Sequence, residues 1–488
     1  MSKFDIVFRN GLVIDGTGSS SYQADVGLKN DKIAEIGNIP LGLGDLELEI
    51  NERVIAPGFI DAHTHDDRAL ISSPDMSAKA SQGVTTVITG NCGISLAPLR
   101  LKNDPPPPLD LIGNRKDYKF TQMNDYLTAL EEKPPALNAA CLVGHSTLRV
   151  GAMDDLTKAA NDEEIENMRK SLFAAIEDGA IGLSSGTFYP PAAAAPTSEI
   201  ALLAEEVGKV GGVYTTHMRD EADHVLESIE ESVQISQAGQ VALIISHHKV
   251  TGKSNHGRTR ETLPVILDAM KHGEVGLDVY PYIAASSILL ADRAKNSERV
   301  RVTWSAALPD QAGRDLSDIA REMGVGLDET VARLSPAGAV YFMMDEADVQ
   351  RVIKFPHTMI GSDGLPHDTH PHPRLWGTFP RVLGHYARDI GLFSLEEGVR
   401  RMTSLTADKF RLTNRGRLAP GFYADIVIFD PERIKDTATF ENPTKQAAGI
   451  DRVYVNGVEV WQAGKPTVNR PGRALRRQEL ALEKQSQI

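Results

Sequence analysis

Short apolar runs alternate with longer amphipathic stretches through the middle of this 488-residue chain. A helical pattern with a glycine stop, such as residues 163–179, separates most of these runs. This alternation is typical of βα units around a parallel sheet. The apolar runs lie at 55–65, 84–93, 138–145, 180–186, 212–218, 241–249, 275–282 and 357–364. Eight such units predict a TIM barrel, an α/β fold.

The two ends of the chain have a different residue pattern from the middle. Both read as short strands separated by turn residues, with an Asn-Gly turn at Asn10-Gly11 and another at Asn456-Gly457. We predict that both ends pair into one small, β-sandwich-like domain; two separate β extensions are the alternative. The predicted domains are a β domain over 1–60 and 415–480 and a barrel over 61–414.

One connection between the predicted barrel strands is irregular. About 75 residues separate Tyr282 from His357, far more than connections in compact domains usually need. We therefore predict an insertion, at about 285–346, that covers the barrel mouth. The charged tail beyond Pro466 is expected to lie over the surface or to fray.

Composition favours a folded protein that acts on a small molecule. The formal net charge of -14, with no basic cluster, would repel nucleic acid and anionic membrane surfaces. No apolar stretch approaches the roughly 20 residues that span a bilayer, and the first residues lack a signal-peptide pattern. Two cysteines are too few for a disulfide framework. We expect a cytoplasmic protein with a small-molecule substrate and no protein partner indicated.

Polar side chains that can bind metals close most of the apolar runs. The carboxyl ends of all strands in a TIM barrel face one mouth, so these residues should converge. His63 and His65 are spaced by two at a strand end, which places both rings on one face. A single histidine is usually structural, but this coincidence at five strand ends predicts a metal site. The residues that close the runs are His63, His65, Cys92, His145, His217, His247, Tyr280 and Asp363.

The ligand types indicate which ion would bind. Imidazoles with one thiolate and one carboxylate suit zinc, which activates water at neutral pH. Asp363 could accept the proton of that water and pass it to a leaving amine. Cys92 could instead be a nucleophile, but four histidines at the same rim favour the ligand role. The predicted zinc ligands are His63, His65, Cys92, His217, His247 and Asp363.

Several motifs resemble known sequences. The run VIAPGFIDAHTH and the later GSDG resemble the amidohydrolase superfamily. The motifs GVTTVITGNCGISLAPL, LVGHSTLR, GTFYPP, THMRDE, ISHHKV, DVYPY and GSDGLPH, spread over nearly the whole chain, resemble the D-aminoacylases. The resemblance implies zinc-dependent removal of the acyl group from N-acyl-D-amino acids, and the D-stereochemistry rests on it alone.

The resemblance also assigns roles to the predicted ligands. It implies a tight zinc at Cys92, His217 and His247. A weaker second position would lie at His63, His65 and Asp363, with Asp363 as general base and acid. Many superfamily members bridge two metals with a carbamylated lysine after the fourth strand. AIGLSSG offers no lysine here, so Cys92 would take that place.

The substrate carries an α-carboxylate, which needs a cation or several donors. Lys249, two residues beyond His247, is the candidate cation, and the resemblance adds Tyr280 and Ser286. The resemblance further implies a side-chain pocket for neutral apolar D-residues. Arg293 lies in the insertion, where acid-specific relatives use an arginine to hold a second carboxylate. The implied pocket residues are Phe188, Tyr341 and Met344.

Three alternatives remain open. An N-acyl-D-glutamate or N-acyl-D-aspartate deacylase would use the same metal site. A cyclic-amide hydrolase of the hydantoinase kind would share the barrel, although the missing lysine of the fourth strand counts against it. A catalytically silent scaffold would be free to lose ligands, and the complete ligand set counts against that role.

Overall fold

The computed structural model of the protein describes residues 3–485. The strands are β1 Phe4–Val13, β2 Tyr22–Lys29, β3 Lys32–Gly37, β4 Gly44–Glu49, β5 Val54–Pro57, β6 Phe59–Asp61, β7 Val84–Thr89, β8 Leu99–Arg100, β9 Lys119–Phe120, β10 Asn138–Gly144, β11 Gly182–Gly186, β12 Val213–His217, β13 Ala242–Ile245, β14 Val275–Val279, β15 Ala284–Ile288, β16 Arg299–Ser305, β17 Ala337–Phe342, β18 Thr358–Ile360, β19 Ile426–Phe429, β20 Ile450–Val455, β21 Val458–Gln462 and β22 Lys465–Pro466.

The α-helices are α1 Ala69–Ser72, α2 Ser77–Ala80, α3 Met123–Glu132, α4 His145–Ala152, α5 Asp162–Asp178, α6 Pro190–Ala193, α7 Thr197–Gly208, α8 Val225–Gly239, α9 Thr259–Ala269, α10 Ala291–Lys295, α11 Leu316–Met323, α12 Leu327–Leu334, α13 Glu346–Lys354, α14 Arg374–Arg381, α15 Leu395–Met402, α16 Ser404–Lys409 and α17 Arg477–Gln485. A π-helical segment, Val382–Asp389, continues α14.

Eight strands within residues 3–485 form one sheet in the order β18, β14, β13, β12, β11, β10, β7, β6. Neighbouring strands are parallel throughout. The two edges also meet, because the Ala62 amide donates to the Ile360 carbonyl at 3.2 Å and the Asp363 amide to the His63 carbonyl at 2.8 Å. The sheet therefore closes. The predicted TIM barrel is confirmed, and each strand lies within one of the eight apolar runs.

Local sequence explains the units of the barrel. Strands β7 and β10 are buried at every position, as expected where helices and the barrel interior cover both faces. Helix α5 begins with a capping box: the Asn161 side chain accepts from the Glu164 amide at 3.0 Å, and the Glu164 carboxylate accepts from the Asn161 amide at 2.8 Å. The helix ends at Gly179, whose φ of 125° suits glycine.

Strands from both chain ends form a second sheet. Its order is β22, β21, β20, β19, β5, β1, β2, β3, and β4 also pairs with β1. The antiparallel ladder between β5 and β19 joins the N-terminal and C-terminal portions. A buried polar network connects this sheet to the start of β10, where Asn456 donates to Asn138 at 2.8 Å and its amide donates to Asp425 at 2.8 Å. The domain limits given above stay a prediction.

The long connection between β14 and β18 contains its own antiparallel sheet, ordered β15, β17, β16. Buried side chains such as Val302, Leu316 and Leu334 pack there with Tyr280 and Tyr341. The insertion thus packs directly against Tyr280, which follows β14 at the carboxyl end of the barrel.

The charged tail is partly anchored. The Leu475 amide donates to the Ala139 carbonyl at 2.8 Å, and the Arg477 amide donates to the Gly179 carbonyl at 3.0 Å. Residues 486–488, the end of this tail, lie outside the described residues. Among residues 3–485, no helix combines the length and the apolar character that crossing a bilayer requires.

Candidate metal centre and substrate pocket

Six side chains from five strand ends meet at the carboxyl rim of the barrel. Their possible ligand atoms form two groups that share Cys92, and within each group these atoms lie within 4.8 Å of one another. The structure therefore brings together every residue that the sequence proposed as a ligand. One group is Cys92, His217 and His247; the other is His63, His65, Cys92 and Asp363.

The Cys92 thiol lies at the centre of the site. Its Sγ is 3.2 Å from Nε2 of His63 and 3.4 Å from Nε2 of His247. Nε2 of His247 is in turn 2.9 Å from Nδ1 of His217. Nitrogen and sulfur atoms gathered this closely are a donor set that suits zinc.

The second group places the carboxylate beside the histidine pair. Oδ1 of Asp363 is 3.1 Å from Nε2 of His65 and 3.6 Å from Nε2 of His63. All three side chains are buried. Buried charge of this kind is retained where it is paired or coordinates a metal.

Backbone conformation is unusual at three of these positions. Cys92, His247 and Asp363 have φ values of 54°, 35° and 50°. Such left-handed conformations cost a non-glycine residue about 1–3 kcal/mol and concentrate at functional sites. The turn around Cys92 also needs glycine, because a Cβ on Gly93, whose φ is 78°, would lie 2.8 Å from the Gly186 amide nitrogen. The fold thus maintains strain where the candidate ligands lie.

The electrostatics hold Cys92, His217 and Asp363 in the forms that bind a metal. Burial alone would raise the pKa of the Cys92 thiol, but the His63 and His247 rings lower it well below its ordinary value. Burial lowers the pKa of His217 to about 4, so this ring is neutral near pH 7. Burial would raise the pKa of Asp363, but Arg374 and His65 hold it well below the ordinary range. A thiolate, a neutral imidazole and a carboxylate are the forms that bind cations.

Burial would lower the pKa of the other three rings, those of His63, His65 and His247, but the Cys92 thiolate and neighbouring carboxylates raise it, so a metal ion would replace a proton on these rings.

His145, which also follows a barrel strand, lies outside both groups. Its Nε2 is 2.9 Å from Oε1 of Glu199, and Arg149 pairs with the same carboxylate. All three side chains are fully buried. His145 is therefore part of a buried polar cluster with Glu199 and Arg149.

Two carboxylates that the sequence patterns did not indicate lie behind the ligands. Oδ1 of Asp278 accepts from the His247 amide at 2.9 Å and lies 3.5 Å from Nδ1 of His63. Oε1 of Glu221 lies 3.1 Å from Nδ1 of His247. Their only signals in the sequence are a place inside the seventh barrel strand and a spacing of four residues after His217.

Lys249, the predicted cation for the substrate, is paired within the protein. Its Nζ lies 2.6 Å from Oε1 of Glu221 and 2.7 Å from Nδ1 of His247. The Tyr280 ring centre is 5.7 Å from the same Nζ. Lys249 is close to the metal groups, but Glu221 compensates its charge.

Arg374 is a second cation at the site, and the sequence did not point to it. This fully buried side chain places Nη1 2.8 Å from Oδ2 of Asp363 and its guanidinium 4.4 Å from the Tyr280 ring centre. Its Nη2 donates to the Ser286 carbonyl at 3.3 Å. The hydroxyls of Tyr280 and Ser286 are buried without a hydrogen-bond partner among the described residues. Arg374 therefore contacts Asp363, the Tyr280 ring and the Ser286 backbone.

A cavity of about 810 Å³ opens between the barrel and the insertion, and Phe188, Glu221, Arg293 and Met343 are among its lining residues. The Phe188 ring stacks on His217, with ring centres 5.3 Å apart. Phe188 therefore lies between this cavity and His217, and none of the six candidate ligands is among the lining residues.

The other predicted pocket residues lie at different depths. The Arg293 guanidinium is 5.0 Å from the Phe188 ring centre and 5.2 Å from that of Tyr341. Tyr341 is buried and does not itself line the large cavity, although it contacts Arg293, which does. Met344 lines a smaller cavity next to Lys249 and Tyr280, whereas its neighbour Met343 lines the large one.

Some known proteins resemble this chain in both sequence and fold, and others resemble it in fold alone. A D-aminoacylase from Alcaligenes xylosoxydans xylosoxydans is 53% identical over 474 residues, which cover 97% of this chain and 98% of the relative. The structure of an N-acyl-D-glutamate deacylase from Bordetella bronchiseptica, complexed with zinc and a phosphonate inhibitor, is 42% identical, has a TM-score of 0.95 and is matched over 97% of this chain and 100% of its own. An L-hydantoinase from Arthrobacter aurescens shares the fold, with a TM-score of 0.60 and 15% identity over 97% of this chain and 100% of that one.

The family assignment follows from these matches. The amidohydrolase family matches residues 50–328 and 329–461, and the near-complete match to a D-aminoacylase confirms the resemblance that the motifs indicated. The chain therefore belongs to the amidohydrolase family, in the branch that contains the D-aminoacylases.

Proposed function

We propose that this protein is a zinc-dependent hydrolase that cleaves N-acyl-D-amino acids to a carboxylate and a free D-amino acid. The observation that carries the proposal is the meeting of two ligand groups around the shared thiol of Cys92. The D-aminoacylase relative and the zinc complex of the N-acyl-D-glutamate deacylase support it. The large cavity beside the ligands supports a small-molecule substrate.

Each ligand group would hold a metal position. Cys92, His217 and His247 would bind one zinc tightly, and His63, His65 and Asp363 would form a weaker second position with the same thiolate. When bound, zinc lowers the pKa of a water molecule and polarises the scissile carbonyl.

Asp363 would carry the proton in the reaction. Its carboxylate is held ionised beside Arg374, whose Nη1 is 2.8 Å away, so it can accept a proton from the attacking water. The water oxygen forms a bond to the acyl carbon, and the carbon–nitrogen bond breaks. Asp363 then delivers the proton to the nitrogen of the departing D-amino acid.

Arg374, Tyr280 and Ser286 would orient the substrate. The Arg374 guanidinium contacts both Tyr280 and Ser286, whose buried hydroxyls are unpartnered, and groups of these types bind carboxylates. Lys249 would add positive charge to these groups, although Glu221 already pairs with it. We propose that these groups bind the α-carboxylate of the substrate.

A comparison of three substrates tests the proposed activity. We expect turnover of N-acetyl-D-methionine, with little or no turnover of N-acetyl-L-methionine or of a hydantoin, measured as release of free amine or ring opening. A family member that acts on linear D-substrates should behave in this way. Turnover of the hydantoin alone would overturn the proposal in favour of a cyclic-amide hydrolase.

An acidic substrate is the second candidate, and Arg293 favours it. This half-buried guanidinium stacks on Phe188 and Tyr341, and its Nε has no hydrogen-bond partner among the described residues. Its position at the large cavity would suit a side-chain carboxylate. The apolar side chains of Phe188 and Met343 at the same cavity support neutral apolar side chains of the substrate, which we propose as the preferred class.

Removing Arg293 separates these candidates. We expect Arg293→Leu to lower kcat/KM for N-acetyl-D-glutamate by about 10–100-fold, the effect of losing a hydrogen bond to a charged group. N-acetyl-D-methionine should be affected much less. The matched control is Arg299→Leu, which removes another arginine stacked on an aromatic ring of the insertion, that of Phe342. Equal losses for both substrates would show that Arg293 only supports the fold of the insertion.

We also propose a cytoplasmic location. Cys92 and Cys141 are both free thiols, and reduced cysteines are usual in that compartment.

A further inference from the structure

A single buried carboxylate lies behind both histidines of the Cys92 group. Oε1 of Glu221 is 3.1 Å from Nδ1 of His247, and Oε2 is 3.7 Å from Nε2 of His217. These ring nitrogens point away from the ligand cluster, because the other two, Nε2 of His247 and Nδ1 of His217, lie 2.9 Å apart. Glu221 is 5% exposed, so little water competes for its oxygens.

The position of the hydrogen on each ring decides which nitrogen can bind a metal and which can donate to Glu221. An imidazole nitrogen binds a metal through its lone pair, so the other nitrogen of a neutral ring carries the hydrogen. For His247 that hydrogen lies on Nδ1, facing Oε1 of Glu221. For His217 it lies on Nε2, which has no hydrogen-bond partner among the described residues and faces Oε2. One carboxylate can therefore serve both rings.

The contact of Lys249 with His247 favours the opposite position of the ring hydrogen. Its Nζ lies 2.7 Å from Nδ1 of His247, and an ammonium group can only donate. That contact requires Nδ1 to lack a hydrogen, which would place the hydrogen on Nε2, facing Cys92. The two arrangements exclude each other. In the arrangement that allows metal binding, the hydrogen is on Nδ1 of His247. Lys249 then donates instead to Oε1 of Glu221 at 2.6 Å and to the His247 carbonyl at 3.1 Å.

We propose that Glu221 is a positioning residue for the tight metal: its two oxygens fix the tautomer and orientation of His217 and His247 and so set the affinity of the site they form with Cys92. The inference rests on the zinc dependence in the proposed function, but it involves no substrate. Partners of metal-binding histidines typically contribute 10–100-fold to metal affinity.

The variants must separate this role from charge balance. Glu221→Gln retains the size of the side chain but offers one acceptor oxygen, so it can serve only one ring. It also leaves the Lys249 cation without its partner, which is costly in a buried site. The single variant Lys249→Met and the double variant Glu221→Gln/Lys249→Met isolate that cost.

Glu199→Gln is the matched control. Glu199 is another buried glutamate that pairs with a histidine after a barrel strand, His145 at 2.9 Å. It lies outside both ligand groups. A general effect of removing a buried carboxylate would therefore appear in this variant as well.

The measurement is the zinc dissociation constant of each metal-free protein, obtained by competition with a chromophoric chelator without substrate. We expect Glu221→Gln and the double variant to bind zinc about 10–100-fold more weakly. Lys249→Met and Glu199→Gln should bind zinc almost as the parent does. The visible spectrum of the cobalt-substituted proteins should change only in the two Glu221 variants, because it reports the ligand geometry.

Three results would overturn the inference: parent-like affinity in Glu221→Gln, recovery of affinity in the double variant, or an equal loss in Glu199→Gln. If Glu221→Gln does not fold, Glu221→Asp takes its place, because it retains the charge but is too short to reach both rings. It should also weaken zinc binding, and parent-like affinity would overturn the inference. A protein with these zinc effects but no deacylase activity would contradict only the proposed function.

Discussion

Replacing Asp363 with asparagine should lower the turnover of N-acyl-D-amino acids by about 10²–10⁴-fold, the usual contribution of a positioned acid–base group. Asparagine has the shape of aspartate but cannot accept and release the proton. The tight zinc should remain, because the group of Cys92, His217 and His247 does not include Asp363. Steady-state kinetics and the zinc content of the purified variant together check this prediction.

Asp368→Asn provides the control for that experiment. Asp368 is a buried acid five residues further along and lies outside both ligand groups. Burial raises its pKa to about 7, so an amide resembles its neutral form and activity should change little. If Asp363→Asn lost metal and activity in parallel, Asp363 would be a ligand of the tight metal and its proton-transfer role would lose support.

Replacing Cys92 with alanine should remove the tightly bound zinc and, with it, activity. The thiol belongs to both ligand groups, so each position loses a ligand. We expect affinity to fall by more than the roughly 10–100-fold that partners of ligands contribute. Zinc content after dialysis, followed by assays with added zinc, measures the effect.

Cys141→Ala is the matched control for Cys92→Ala. Cys141 is equally buried, but it lies within β10 next to Thr89, 3.4 Å away. This variant should retain zinc. If Cys92→Ala retained zinc but lost activity, the cysteine-nucleophile alternative would replace the ligand role. If the parent protein held no zinc and added zinc restored nothing, the silent-scaffold alternative would gain support.

Local sequence patterns predicted the barrel strands and the residues at its rim. A strand buried on both faces is a short continuous apolar run, so each barrel strand was marked by its own residues. Barrel geometry then places every strand end at one mouth. His63, Cys92, His217 and Asp363 could therefore be expected to converge without knowledge of a single distance.

The contacts around the ligands depended on the tertiary structure. Glu221 lies in the loop after β12 and Arg374 begins helix α14, and no periodicity indicates that these side chains point towards the ligands. Their pairing with Lys249 and Asp363 depends on how loops from different units pack over the mouth. The placement of Met343 rather than Met344 at the large cavity has the same origin, because it depends on how the insertion sits on the barrel.

The sequence by itself thus determined the eight strands, the residues at their ends and the chemistry those residues can perform, because these properties follow from short-range periodicity and side-chain type. Only the tertiary structure decided which buried charges compensate one another and which nitrogen of each histidine faces its neighbours. Such contacts join residues far apart in the chain, and their energies depend on distance and burial.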